Sequence, residues 1–209
     1  METSLRAGIA VYNAGAYHAA HDAWEDTWLD LPDGSDDERL FHGLIQFTAA
    51  VYHAHNRNWS GAGGLCESAG AYLADLPPTY RGVDLRSVRR YLDALKTDPE
   101  RIERATPPAL IYKRRALSAA DLSVDGITMA AAVLAEEYDQ YDESTIERAA
   151  DYAREEASGV ETRFIGLLTT FVDESTHRNI VYDRLAAQVE RRQRKTRDVA
   201  GLFETQDET

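Results

Sequence analysis

The sequence predicts an all-α fold, made of a helical bundle and a helical C-terminal extension. Three observations lead to this prediction. Apolar residues recur with a helical period along nearly every segment. Two Ser-x-x-Glu capping boxes precede long periodic runs. Sustained alternation of apolar and polar residues, which is typical of strands, does not occur. The 209 residues can bury a core without disulfides, and a single cysteine excludes an intramolecular one.

The first part of the chain, residues 1–105, is expected to form the bundle. Ser35 and Glu38 form the first capping box, and Asn58 and Asp84 are predicted helix caps. Apolar periodicity and turn residues place the helices over residues 4–12, 16–30, 35–57, 59–76 and 84–96, with a short helical turn over 98–105.

Residues 106–127 differ from what precedes them. Thr106-Pro107-Pro108 and Asp125-Gly126 bracket an apolar run, Leu110-Ile111-Tyr112, which we expect to be extended or a short strand. The segment is the best candidate for a linker between two helical regions.

Residues 128–198 are expected to form the C-terminal extension. Helices are predicted over residues 128–141 and 175–197, and a second capping box, Ser144 with Glu147, begins another. A further apolar stripe follows at Val160, Phe164, Leu167, Leu168 and Phe171. Such stripes need partners, so we expect a hairpin or bundle docked on the first part. Residues 199–209 are expected to be a frayed tail.

The charge balance excludes some partners. There are 23 basic residues against 36 acidic ones, a formal net charge of -13, and only three of the basic residues are lysines. Scarce lysine and excess acid are typical of a halophilic source, and broad nucleic-acid binding is not expected because it needs basic patches. The basic run 191–197 is interpreted as the solvated end of the last helix. No targeting or membrane-spanning segment is recognised, so we expect a cytoplasmic protein.

The densest group of unusual residues lies between positions 17 and 62. On a helix over 16–30, Tyr17, Trp24 and Trp28 fall within about 40° of each other. The short Pro-Asp-Gly connection makes the next helix an antiparallel neighbour, and that helix carries a polar stripe of Arg39, His42, Gln46, His53 and Arg57. The expected pocket is therefore lined by His21, Trp24, Glu25, Trp28, Arg39, Gln46 and His53.

These residue types permit several roles. Histidines beside carboxylates can hold a divalent metal, and the candidate ligands are His18, His21, Glu25, His42 and His53. Aromatic residues at helical spacing are more often part of a core, and histidines there often only satisfy a carboxylate. No complete catalytic set can be named. A binding or interaction module for a small molecule or protein is therefore the favoured hypothesis. The alternative is a small hydrolytic or metal-assisted enzyme using His21 and Glu25, and homo-oligomerisation stays open.

Four short motifs add a resemblance. Residues 13–17 (Asn-Ala-Gly-Ala-Tyr), 21–28, 39–46 and 57–62 together resemble the family of domain of unknown function 309 over residues 13–76. The resemblance implies a compact all-α fold and no reaction, because that family has no established activity. Its motif falls here on His21, Trp24, Glu25, Trp28, Arg39, Gly43, Gln46, Asn58, Gly61 and Ala62. Asp22 stands where the family usually has glutamate, and His42 where it often has glutamine.

Overall fold

The computed structural model describes residues 1–159 and 162–204, which confirm the all-α class and the helical C-terminal region. Val160 of the predicted stripe and residues 205–209 of the predicted tail lie outside the described residues. The helices are α1 (Glu2–Asn13), α2 (Tyr17–Leu29), α3 (Asp36–His55), α4 (Trp59–Leu73), α5 (Leu85–Thr97), α6 (Val124–Glu137), α7 (Glu143–Glu156), α8 (Arg163–Asp173) and α9 (Arg178–Glu204). The strands are β1 (Thr79–Tyr80), β2 (Val83–Asp84), β3 (Ile111–Tyr112) and β4 (Arg115–Ala116).

Three predicted caps are confirmed. The Ser35 hydroxyl accepts a hydrogen bond from the backbone N–H of Glu38 at 3.1 Å. The Asn58 side chain accepts one from the Gly61 N–H at 3.0 Å, and Asp84 accepts one from the Arg86 N–H at 3.1 Å. Each cap satisfies a backbone donor that the first helical turn leaves without a partner.

The second predicted capping box is wrong. Helix α7 begins at Glu143, and its cap is Asp142, whose carboxylate accepts a hydrogen bond from the Thr145 N–H at 2.8 Å. The Ser144 hydroxyl instead donates to Asp142 at 2.8 Å. Aspartate is as good a cap as serine, so the acceptor that comes first along the chain starts the helix.

Helices α1 and α2 approach closely because a tryptophan fits over a glycine. The Trp24 side chain is fully buried, and its indole lies where a Cβ on Gly8 would be. The indole N–H donates to the Leu5 carbonyl at 3.3 Å, and the Ser4 hydroxyl donates to the Ala23 carbonyl at 2.6 Å. The two helices are therefore joined by hydrogen bonds as well as by apolar packing.

The segment 106–127 contains a strand where one was expected, at β3. Strands β1 to β4 form one antiparallel sheet in chain order, with Thr79 opposite Asp84, Val83 opposite Tyr112 and Ile111 opposite Ala116. The hairpin turns lie at Arg81-Gly82 and Lys113-Arg114, all four with positive φ. Two successive positive φ values give the turn that suits the twist of a two-residue hairpin.

The same segment is held against α1. The Asn13 side chain accepts a hydrogen bond from the Leu110 N–H at 2.8 Å and donates to the Leu110 and Leu117 carbonyls at 3.1 and 3.0 Å. Helix α6 then begins at Val124 rather than at residue 128, because Ser123 caps it by accepting from the Gly126 N–H at 3.3 Å.

The C-terminal helices continue the core. Helix α6 packs against α1, α2, α7 and α8, and α8 packs against α9. Buried Arg178 donates to the carbonyls of Phe171 and Val172 at 2.9 and 3.2 Å, which satisfies the end of α8. None of the helices in the described ranges is long and apolar enough to span a membrane.

The contact between Gly8 and Trp24 can be tested by adding one methyl group. Gly8→Ala should lower the free energy of unfolding by about 1–3 kcal/mol, because the new Cβ would overlap the buried indole. Gly63→Ala on α4 is the matched control, since a Cβ there meets no atom within 4 Å. Urea unfolding should show the control to be as stable as the original protein or more so. Equal stability of the two variants would contradict the packing argument.

Candidate functional site

Helix α2 has two opposite faces. Ala19, Ala20, Ala23 and Trp24 are buried on one face, where α2 meets its neighbours. At 100° per residue, His18, His21, Asp22 and Glu25 fall on the other face. The buried side of the helix thus decides which side carries the titratable groups.

Three of these side chains come together in what we call the His/Asp cluster, His18, His21 and Asp22. One potential ligand atom of each lies within 4.8 Å of those of the other two. His21 Nδ1 is 3.2 Å from Asp22 Oδ1, and the His18 and His21 rings meet edge to face with centroids 5.3 Å apart. The side chains are 23–41% exposed, so solvent reaches the cluster.

Helix α6 adds a fourth group to the cluster. Glu137 Oε2 lies 2.6 Å from His18 Nδ1, and the Glu137 side chain is only 19% exposed. Glu137 could not be predicted from the sequence, because 119 positions separate it from His18 and no periodic pattern relates the two. Glu25 is more peripheral: its Oε2 is 3.7 Å from His21 Nε2, and its side chain is 48% exposed.

The electrostatics of the cluster favour a cation. Burial raises the pKa of Asp22, and Glu137 and Glu136 raise it further, while His21 and His18 oppose the shift. The carboxylates therefore concentrate negative charge at a site that is partly shielded from water. Two imidazoles with carboxylate oxygens are a donor set that suits zinc, manganese or ferrous iron.

The other end of α2 has a second polar group, which we call the Glu38 network. Glu38 Oε1 accepts a hydrogen bond from Trp28 Nε1 at 3.0 Å and lies 3.1 Å from His42 Nδ1. The His42 ring stacks on Tyr72 at 3.8 Å and meets Trp28 at 4.5 Å. Glu38 and His42 are mostly buried, so these contacts satisfy polar groups inside the bundle.

The antiparallel arrangement of α2 and α3 is confirmed by their ring contacts. Tyr17 stacks on His55, and His18 contacts Tyr52, both at the start of α2. Trp28, at the end of α2, contacts His42, which is nearer the start of α3. The His/Asp cluster and the Glu38 network are therefore separated along the length of α2.

The remaining residues of the expected pocket are dispersed. Trp24 is fully buried and offers no surface to a ligand. Arg39 lies 3.8 Å from Asp36 on its own helix, and the ion pairs of the described residues do not join it to Glu25. His53 Nδ1 pairs with Asn58 Nδ2 at 2.7 Å, and half-buried Gln46 lies mid-way along α3. Of the candidate metal ligands, His18 and His21 come together, whereas His42 and His53 have separate partners.

Comparison with known proteins finds one family model that matches part of the chain, including the α2 residues of the cluster. Residues 5–65 match the family described as Domain of unknown function (DUF309), in agreement with the resemblance found in the motifs. The chain is also 26% identical over 108 residues to an uncharacterized protein of Aquifex aeolicus (strain VF5). That alignment covers 52% of this chain and 31% of the relative, so the chain spans under a third of the relative's length.

The raised pKa of Asp22 predicts how stability depends on pH when EDTA keeps the protein metal-free. The folded chain favours the protonated carboxyl of Asp22, so this group stabilises the fold fully below about pH 3.9, its pKa in the unfolded chain. That contribution is lost as the pH rises through the higher pKa of the folded chain. Asp22→Asn should therefore match the original protein at pH 4 and unfold at a higher urea concentration at pH 7.

Asp37→Asn is the matched control. Hydrogen bonds from Arg81 lower the pKa of Asp37, so its charge stabilises the fold at neutral pH and that contribution is lost in acid. Asp37→Asn should unfold at a lower urea concentration at pH 7. If Asp22→Asn were destabilised in the same way, Asp22 would be an ordinary structural ion-pair partner.

Proposed function

We propose that this helical protein binds a divalent transition-metal ion through His18, His21 and Asp22 of α2, with Glu137 of α6 as the carboxylate that holds the His18 imidazole in place. The observation that carries the proposal is the His/Asp cluster itself, in which three ligand atoms lie within 4.8 Å of one another. The Glu137 carboxylate is already 2.6 Å from one of the two imidazoles.

The spacing of the ligands suits a metal. Positions i, i+3 and i+4 share one helix face, so His18, His21 and Asp22 project in the same direction. Ligands at about 2.1 Å from a tetrahedral ion lie about 3.4 Å from each other. The cluster needs only small side-chain rotations to close to that distance, and its partial exposure gives an ion a way in.

The donor set narrows the choice of ion. Imidazole nitrogen favours zinc, copper, iron, cobalt or nickel over magnesium and calcium, which prefer sites made of oxygen, and the carboxylate oxygens also suit manganese. Because both imidazoles come from one helix turn, the far side of the ion would stay open to water or to an oxygen ligand. Polarisation of such a ligand by the metal is the chemistry that the second candidate function, a metal-assisted enzyme, would use.

Glu25 is what favours that second candidate. Its carboxylate lies 3.7 Å from His21 Nε2 and is half exposed at the edge of the cluster. A carboxylate so placed can orient the imidazole or accept a proton from a ligand beside the metal. Binding is the primary proposal because it needs only the ligands, whereas hydrolysis also needs a substrate site.

Metal binding can be measured by calorimetry on protein without a histidine tag, stripped with EDTA and titrated with Zn²⁺ and with Mn²⁺. We expect one ion per chain. His18→Ala and His21→Ala should abolish binding, because each removes an imidazole ligand. Glu137→Gln should weaken it by about 10-fold or more, as a lost carboxylate partner does at other sites.

His177→Ala is the control variant. His177 is an exposed histidine that lies 3.6 Å from Glu174, so it is also a histidine beside a carboxylate, but it is not part of the His/Asp cluster. Its loss should leave the affinity unchanged. Circular dichroism should show that every variant remains folded. Unchanged binding in folded His18→Ala and His21→Ala, or no binding by the original chain, would refute the proposal.

A further inference from the structure

We propose that two copies of this chain form a dimer in which each copy places its basic C-terminal arm in an acidic groove of the other. The arm is residues 190–198 of α9, together with the helical backbone that continues to Glu204. The groove lies between α6 and α7. This proposal is independent of the metal site, and it identifies an interaction surface whose partner is a second copy of the chain.

The arm extends beyond the body of its own chain. Helix α9 runs alongside α7 in the same direction, since Tyr182 packs on Tyr141 just before α7 and Arg192 reaches Glu155 near its end at 3.3 Å. Val189 is the last buried residue of α9 among the side chains that the structure describes. From residue 193 to Glu204 the helix continues for about 18 Å beyond this contact.

The arm is strongly basic in an acidic protein. Five of the chain's 23 basic residues fall within seven positions, while the net charge of the whole is -13. The side chains of Arg194, Lys195 and Arg197 are exposed. Neighbouring like charges on one helix repel each other, so an acidic partner surface would stabilise the arm. The five basic residues are Arg191, Arg192, Arg194, Lys195 and Arg197.

The groove between α6 and α7 is acidic and apolar, which complements the basic arm. Its cavity has a volume of 530 Å³, and its lining surface is mainly apolar, with contributions from Met129, Ala132, Ile146 and Ala150. Its rim carries three exposed acids, Asp125, Glu147 and Asp151, and one base, Arg154.

Arg154 shows that this rim accepts guanidinium groups. Its side chain lies 3.8 Å from the Asp125 carboxylate and 3.1 Å from that of Asp151, so one arginine already bridges the two acids. Both acids remain more than half exposed, and Glu147 is exposed beside them. The rim can therefore receive further arginines from another molecule.

The topology favours a second copy over the chain's own arm. Helix α9 packs on α7 and α8, and its residues Glu190 and Gln193 border Glu147 and Asp151 across a separate cavity. The groove itself opens on the side of α7 that faces α6.

Since Arg192 is level with Glu155, a straight α9 carries Arg194, Lys195 and Arg197 past the end of α7 at Glu156. They would reach the groove of the same chain only if the helix bent back. In a copy related by a two-fold axis, both arms can engage both grooves at once, which is the closed, self-complementary arrangement of most dimers.

Light scattering and analytical ultracentrifugation on the full, untagged chain test the proposal. We expect a dimer at low salt and tens of micromolar protein, and a shift to monomer at high salt because exposed ion pairs are screened. Arg194→Glu with Arg197→Glu should give a monomer, and so should Asp125→Arg with Glu147→Arg. Arg86→Glu with Arg90→Glu, on exposed positions of α5, is the control for the arm variant, because it changes the net charge by the same amount, and it should stay dimeric.

Mixing the two monomeric variants provides the decisive measurement. The arm variant has an acidic arm, which fits the basic rim of the groove variant. The unchanged basic arm of the groove variant fits the unchanged acidic rim of the arm variant, so a one-to-one dimer should form. A monomeric original protein at low salt would overturn the proposal, and so would a dimer insensitive to the arm changes. A chain that stays monomeric but binds a DNA or RNA oligonucleotide through the arm would overturn it as well.

Discussion

The burial of Trp24 against Gly8 fixes how α2 is oriented, and the candidate metal site depends on that orientation. The indole fills the space that a glycine leaves on α1, and its N–H is satisfied by the Leu5 carbonyl. Once this side of α2 faces α1, the helical period leaves His18, His21 and Asp22 on the outer side. The cluster is thus a consequence of core packing rather than of a loop that happens to bring ligands together.

Helix α6 connects this cluster to the C-terminal region. It packs on α1 and α2, and its last residue, Glu137, contacts His18. The family match ends at residue 65, so the fourth group of the site comes from a part of the chain that the match does not cover. Burial, and to a smaller extent the acidic end of α6, raises the pKa of Asp22, so its charge destabilises the metal-free fold, and a bound cation would offset this.

Local signals in the sequence predicted the helices and most of their caps, because a period of 3.6 and a capping side chain each act within a few residues. The same signals could not find the contact between His18 and Glu137, which depends on how α6 docks. Trp24 was expected beside a pocket, yet the same spacing also suits a core residue, and only the glycine on α1 decides between them. The turn at Lys113-Arg114 was missed because neither residue is typical of positive φ.

The two ends of α6 differ in their electrostatics, and this difference relates the two proposed surfaces. Asp125 lies in the first turn, where the helix dipole favours a negative charge. Glu136 and Glu137 lie in the last turn, where the dipole is negative and two carboxylates add to it. An acid at the start of the helix is stable without a partner and stays available to an incoming arginine. An acid at its end is stabilised by a polar hydrogen-bond donor nearby, and Glu137 has the His18 imidazole of α2 at 2.6 Å. That imidazole is also a good ligand for a metal cation.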